Sequence, residues 1–270
     1  MIRAHNLTLS VREGQRSRTL LQGFNIHIKK GEWVALTGAN GCGKTSLIRT
    51  FNGLSTPSGG SLSVAGLDLR QPGSRAAVKQ HVQLVLQNPE AQTVGSTPLE
   101  DIAFGLENRG LDRAQMLERI GGILEQVGLS RKAGADVATL SGGERQRLAV
   151  GCCIALEAEL IIFDEATSML DPAGREDILE LARELWQAGT TILWVTQRME
   201  ELAASPRIAV LGEGRLLYDG SPRSLFYESE LPDALGWAAA PAVRVGRLLQ
   251  QQGWPLHLLP LTAPELEALL

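Results

Sequence analysis

The stretch Gly38-Ala39-Asn40-Gly41-Cys42-Gly43-Lys44-Thr45-Ser46 follows a short apolar run and opens a helix-like segment. All four fixed positions of G-x-x-x-x-G-K-[ST] are filled, in the strand-to-helix context that the pattern needs. Gly38, Gly41 and Gly43 leave room for backbone N–H groups to turn inward on a di- or triphosphate, and Lys44 adds a point charge. The Thr45 hydroxyl suits Mg²⁺. A turn that merely joined a strand to a helix would not need every one of these positions. Two carboxylates, Asp164 and Glu165, end the apolar run Leu160–Phe163. A run covered on both faces reads as a parallel strand, and its C-terminal end is where open α/β sheets hold ligands. Leu140-Ser141-Gly142-Gly143-Glu144, Ser168-Met169-Leu170-Asp171 and Gln87 are further polar punctuation between periodic segments.

These groups must be held by an α/β fold: a P-loop NTPase core with a parallel sheet. Residues 2–37 alternate apolar and polar, which predicts an antiparallel β subdomain at the N-terminus. His81–Leu86, Leu160–Phe163 and Thr191–Val195 read as buried strands, and residues 173–188 as a helix. Helical spacing from Leu99 to Val127 predicts an inserted helical subdomain over about 88–140. The expected division is a phosphate-binding α/β domain over 1–222 and a short helical extension over 223–270. In that tail Thr262-Ala-Pro-Glu265 has capping-box spacing. A terminal apolar helix packs on its own domain or forms a dimer contact that outlasts nucleotide, and both readings stay open.

The 270 residues carry a formal net charge of −4, without the basic excess of a nucleic-acid surface. No nucleic-acid partner is expected. The beginning of the chain lacks the pattern of a signal peptide, and no run reaches the roughly 18 apolar residues of a membrane span. A cytosolic location is therefore expected. Of the three cysteines, Cys152 and Cys153 read as small core residues rather than a disulfide framework.

With the phosphate loop, Gln87, Leu140-to-Glu144, Asp164-Glu165 and Ser168-to-Asp171 in that order, the chain resembles the ATP-binding subunit of an ABC transporter over roughly residues 2–222. Gln87-Asn-Pro-Glu-Ala-Gln-Thr-Val, Glu100-Asp-Ile-Ala-Phe-Gly-Leu-Glu-Asn108 and the tail are similar to the energy-coupling-factor (ECF) ATPases, which power uptake of vitamins and transition-metal ions. The resemblance implies that Gly38 to Ser46, with Val11 at the base, bind ATP. It implies that Thr45 and Asp164 serve Mg²⁺, that Gln87 contacts Mg²⁺ or the attacking water, and that Glu165 is the general base or water-positioner. Ser141, Gly142, Gly143 and Glu144 would close over ATP held by a second ABC ATPase subunit, with Asp171 at the seam. Further implied partners are a transmembrane coupling subunit and a substrate-binding membrane subunit. The protein would then sit peripherally on the cytoplasmic face of the cell membrane. Glu100, Asp101 and Glu107 could meet basic residues of the membrane subunit or simply be solvated.

Two positions depart from the family pattern. After Val195-Thr196 the family places a histidine at the γ-phosphate, whereas this chain has Gln197, which donates a neutral hydrogen bond but carries no charge. Where the family stacks adenine on an aromatic ring, this chain has Val11, and no Phe, Tyr or Trp precedes Phe24. Stacking is worth roughly 1–3 kcal/mol elsewhere; Arg12 or Arg16 covering the base instead stays open. Both departures predict a slow site in a heterodimer. The leading expectation is the hydrolysing motor of an ECF-type importer. The alternative is a weakly hydrolysing coupling or regulatory half of a heterodimeric ABC ATPase. An ABC ATPase acting on DNA or ribosomes is disfavoured by the single ATPase unit and the lack of a coiled-coil arm.

Overall fold

A computed structural model describes residues 1–13, 16–107 and 111–269, with backbone only for 12, 13 and 16. In chain order its elements are β1 (Ile2–Glu13), β2 (Arg16–Ile28), β3 (Trp33–Gly38), α1 (Lys44–Phe51), β4 (Gly59–Val64), β5 (Leu67–Asp68) and α2 (Ser74–Val78). Then come β6 (Val82–Val85), α3 (Pro98–Glu107), α4 (Arg113–Gln126), α5 (Gly142–Ala155), β7 (Leu160–Asp164), α6 (Pro172–Gln187), β8 (Thr191–Val195) and α7 (Met199–Ala203). The chain continues through β9 (Ile208–Gly212), β10 (Arg215–Gly220), α8 (Leu231–Ala234), α9 (Pro241–Gln251) and α10 (Ala263–Glu267).

The strands form a four-stranded sheet, ordered β2-β1-β4-β5, and a six-stranded sheet, ordered β10-β9-β3-β8-β7-β6. In the larger sheet every pairing is parallel except β9 with β10. Parallel alignment matters for function because it sends the ends of β3, β6, β7 and β8 to one edge. Period-two alternation explains the apolar runs: Leu160 and Ile162 face α1 and the antiparallel sheet, while Ile161 and Phe163 face α3 to α6. The antiparallel N-terminal sheet and the parallel core agree with the fold class read from the sequence. Ala35, Ile208 and Val210 pack with Leu225, Phe226, Val243 and Leu261. The inner face of the tail is thus packed on its own chain. At Thr262 the capping box is only half formed. The Thr262 hydroxyl accepts the Glu265 N–H, but the Glu265 carboxylate accepts the Leu261 N–H and pairs with Arg223. Val245, Leu248 and Trp254 are exposed on the outer face.

Candidate nucleotide site

The phosphate loop hangs from β3, whose six residues are all buried. Gly38 is obligatory there: a Cβ would lie 2.1 Å from the Leu211 carbonyl oxygen of β9. α1 begins after Gly43, whose φ is +106°, with no side-chain cap and no acidic residue in its first turn. The first helical N–H groups have no intrahelical partner by geometry, so the loop presents Lys44, Thr45 and Ser46 amides to an anion. Lys44 is 7% exposed, and its Nζ donates to the carbonyl oxygens of Gly38 at 2.8 Å and Ala39 at 3.2 Å. A third Nζ proton is left for a ligand. The Cys42 thiol is half-buried.

Asp164 and Glu165 end β7 beside the loop. Burial, and next the neighbouring Glu165 charge, push the Asp164 carboxyl above its usual value, against Arg49 and Lys44. Glu165 has φ +50°, a left-handed conformation that costs a non-glycine residue about 1–3 kcal/mol. Its N–H donates to Val195 O at 3.0 Å. Gln197 connects these parts: Nε2 donates to Asn40 Oδ1 at 2.6 Å and to Glu165 Oε1 at 3.1 Å. Both amide protons are therefore used inside the protein, and the amide joins the phosphate loop to the carboxylate.

Thr45 and Gln87 are exposed, and Gln87 follows β6. Among the described residues no three His, Cys, Asp or Glu side chains group as a metal site. The available donors are oxygens: a Thr hydroxyl, a carboxylate whose pKa burial raises and a carboxamide. That set fits a hard divalent cation shared with phosphates, which would relieve the raised Asp164. Val11 is half-buried and pairs with Arg18 across the β1–β2 ladder. The Arg12 and Arg16 side chains lie outside the described residues.

Ser141 caps α5 in a complete capping box. Its hydroxyl accepts the Glu144 N–H at 3.2 Å, and its own N–H donates to Glu144 Oε2 at 2.9 Å. The Lys132 ammonium, then the Ser141 N–H, hold the Glu144 carboxyl below its ordinary value. The Ser141 hydroxyl uses only its acceptor side in this bond, so its proton remains to donate. Ser141, Gly142 and Gly143 line an open cleft with Met169, Asp171 and Gly174, and no phosphate-loop residue lines it. Asp171 caps α6 by accepting the Gly174 N–H at 2.9 Å. Met169 is 66% exposed.

The family model described as ABC transporter matches residues 21–168. The energy-coupling factor transporter ATP-binding protein EcfA1 of Halalkalibacterium halodurans is 40% identical over 88% of this chain and 86% of its own length. The protein of the same name from Lacticaseibacillus paracasei is 40% identical over 95% of this chain and 98% of its own length. The chain belongs to the ABC transporter ATPases. Within them it groups with the ECF ATP-binding proteins, and it is an ATP hydrolase of the ABC type. Among solved structures, cbiO1 from Clostridium perfringens, described as part of the ABC transporter complex cbiONQ, superposes with a TM-score of 0.78. It is 26% identical and matches over 92% of this chain and 98% of that one. A dimeric ATP-binding cassette bound to ADP and Pi, 24% identical, shares the fold with a TM-score of 0.75 over 83% of this chain and 99% of that one.

In this ABC ATPase the structure brings Asn40, Lys44, Asp164, Glu165 and Gln197 together and places the Ser141 turn on a separate cleft. Two glutamines that sequence reasoning passed over hold the approach to Gln87. Gln92 accepts the Leu86 N–H at 2.6 Å and donates to Leu84 O at 2.7 Å, and Gln146 of α5 donates to Leu86 O at 3.0 Å. Arg145, beside Gln146, pairs with Glu90. The Gln87 segment is thus tied to the helix that Ser141 caps. Asp101 is not available to a partner: it is 7% exposed and accepts the N–H groups of Val94 and Gly95, both at 2.8 Å. Glu107 is exposed. Cys153 is buried, its thiol pushed up to about 12 by desolvation, as befits a core residue.

Proposed function

We propose that the chain is the ATP-hydrolysing motor of an ECF-type importer for a vitamin or a transition-metal ion. It would pair with a related, non-identical ATPase and work peripherally on the cytoplasmic face of the membrane. The observation that carries this reading is the division of the site. Lys44, Asp164, Glu165 and Gln197 converge at one sheet edge, while the Ser141 hydroxyl keeps a free proton on a cleft without phosphate-loop residues. A partner chain supplies what each half lacks.

In this reading the loop amides and Lys44 bind the β- and γ-phosphates of ATP, and Thr45, Asp164 and Gln87 hold Mg²⁺. Mg²⁺ supplies charge neutralisation at the phosphate oxygens. Glu165 orients the attacking water and accepts its proton, and the left-handed backbone aims the carboxylate past the end of β7. Ser141, with the Gly142 and Gly143 amides, donates to the γ-phosphate held by the partner. Contacts made to both chains favour the closed dimer, and hydrolysis removes part of that preference. The membrane subunit would dock in the groove lined by Gln92, Val94, Phe104 and Cys152, from which Gln92 leads directly to Leu86 and Gln87. Cysteine crosslinking between position 141 and the partner's phosphate loop, in an ATP-saturated and turnover-blocked complex, tests the shared site. No crosslink in that state would overturn it.

A weakly hydrolysing, coupling half of a heterodimer is favoured by two observations. Both Gln197 amide protons are occupied within the protein, and the base position offers Val11 in place of a ring. In this account Gln197→His raises turnover at the Lys44 site. Unchanged turnover, measured with the partner's own site disabled, would remove Gln197 as the cause of slowness.

A further inference from the structure

Glu201, on α7, is 3% exposed, yet it carries a carboxylate. Oε1 accepts the Thr167 hydroxyl at 2.6 Å and faces Arg198 Nε at 3.5 Å, while Oε2 accepts the Trp194 indole N–H at 2.9 Å. Burying a carboxylate is tolerated only where it is partnered in this way. Its partners are not scattered over the core. Thr167 lies in the turn that leaves Glu165, Trp194 lies on β8 just before Gln197, and Arg198 directly follows Gln197. Trp194 is itself locked between Phe163 of β7 and Trp33 of β3, with ring centroids 4.6 and 5.7 Å away.

The left-handed backbone of Glu165 persists only if its surroundings over-determine it. From β8 the Val195 carbonyl accepts its N–H at 3.0 Å. On the other side Glu165 O accepts the Ser168 N–H at 3.0 Å and Thr167 O accepts the Leu170 N–H at 3.1 Å, so the turn is shaped around Thr167. The Thr167 hydroxyl adds a buried side-chain tie, fastening that turn through Glu201 to the segment carrying Gln197. We propose that Glu201 is a positioning residue for hydrolysis: it pins the turn after Glu165 to the end of β8 and so fixes Glu165 against Gln197. This rests on Glu165 being the water-orienting carboxylate.

The test uses the transporter complex purified with its partner ATPase and membrane subunits, in which kcat, KM for ATP and Tm are measured for Thr167→Val, Thr167→Ser, Glu201→Gln, the pair Thr167→Val/Glu201→Gln and Glu165→Gln. Thr167→Val keeps the side-chain shape and removes the hydroxyl. It is expected to lower kcat between about tenfold and a hundredfold, because small misplacements of reacting groups cost rates of that order. KM is expected to stay within about twofold, since binding groups are untouched. Thr167→Ser restores kcat. In the Glu201→Gln background Thr167→Val costs less than in the wild type, the signature of a shared contact. Wild-type kcat for Thr167→Val with a lowered Tm, or losses that simply multiply in the double variant, would overturn the proposal. Wild-type hydrolysis by Glu165→Gln would instead remove the underlying assignment, and this proposal with it.

Discussion

Two helices of this chain start beside glycines, and they start in opposite ways. α1 follows Gly43, at φ +106°, and has no side-chain cap and no acid in its first turn. α5 follows Ser141 and closes a reciprocal capping box with Glu144. The N-terminus of a helix behaves as roughly half a positive charge. In α1 that charge is left without a side-chain cap or a first-turn acid, beside the buried Lys44. In α5 the chain satisfies two of its own donors, the Glu144 and Ser141 N–H groups, and uses the Glu144 carboxylate for one of them. The carboxyls follow the same division: Asp164, near α1, is pushed up by burial and Glu165, whereas Glu144, in α5, is pulled down by Lys132 and the Ser141 N–H. On the proposed function, one terminus would be finished by nucleotide, and the other, capped beforehand, would add a donor to a phosphate held by the partner.

The largest break in this comparison comes from Lys44→Ala. Removing one partner of a buried, hydrogen-bonded charge costs about 2–5 kcal/mol. Titration of the single chain with a fluorescent ATP analogue should show that loss, whereas Ser141→Ala should leave single-chain affinity unchanged. Equal losses from both substitutions would mean that the two termini serve the same bound nucleotide within one chain. Next in size is the effect of ligand on stability. MgATP at a hundred times its Kd should stabilise the chain by about 2.7 kcal/mol. The gain, read as a rise in Tm, should vanish in Lys44→Ala and persist in Ser141→Ala.

Distance along the chain decides how much of this can be read from residue order. The phosphate loop and the Ser141–Glu144 box are legible because each motif and its partners lie within a few consecutive residues. The parallel core is legible too, since β7 and β8 are apolar on both faces. Glu201 is not, because it sits in Met199-Glu200-Glu201, which reads as an exposed acidic helix start, while its partner Thr167 lies 34 residues away. Asp101 misleads for a related reason. A first-turn acid suggests a waiting cation, but the loop from Val94 to Gly95 folds back to consume it. Gln92 and Gln146 are ordinary helix and loop residues until β6 ends, where Leu86 needs partners that no neighbouring strand supplies. Gln197 is legible as a departure from a pattern, but its double contact with Asn40 and Glu165 is a product of packing.

A smaller effect separates the capped terminus from the open one without any nucleotide. Ser141→Ala should cost about 0.5–2 kcal/mol, the usual penalty for a lost N-cap. Thermal denaturation of the nucleotide-free chain should register it as a drop of a few degrees. Gly43 contributes no cap, and a side chain there would cost stability for a different reason, the left-handed backbone at φ +106°. A Tm unchanged by Ser141→Ala would show that Glu144 and Lys132 hold the α5 terminus alone, and the contrast between the helices would narrow to charge.

The finest test is pH. A carboxyl whose folded pKa is depressed contributes stability above its unfolded value, and that contribution is lost as pH falls through the folded pKa. Glu144 is of this kind, so Glu144→Gln should lower stability at neutral pH by about 0.3–1 kcal/mol, the range typical of a charge at a helix end, and Tm should fall accordingly. The difference should disappear as pH drops below the ordinary carboxyl value of 4.5. Asp164 has the opposite sign. Its raised pKa makes protonation favour the folded state, with the benefit present below 3.8 and lost as pH rises through the folded value. Asp164→Asn should therefore raise the Tm of the nucleotide-free chain at neutral pH while removing the Mg²⁺-dependent part of nucleotide stabilisation. If Asp164→Asn and Glu144→Gln moved Tm the same way at pH 7, the claim that one carboxyl waits for its counter-charge and the other already has it would fail.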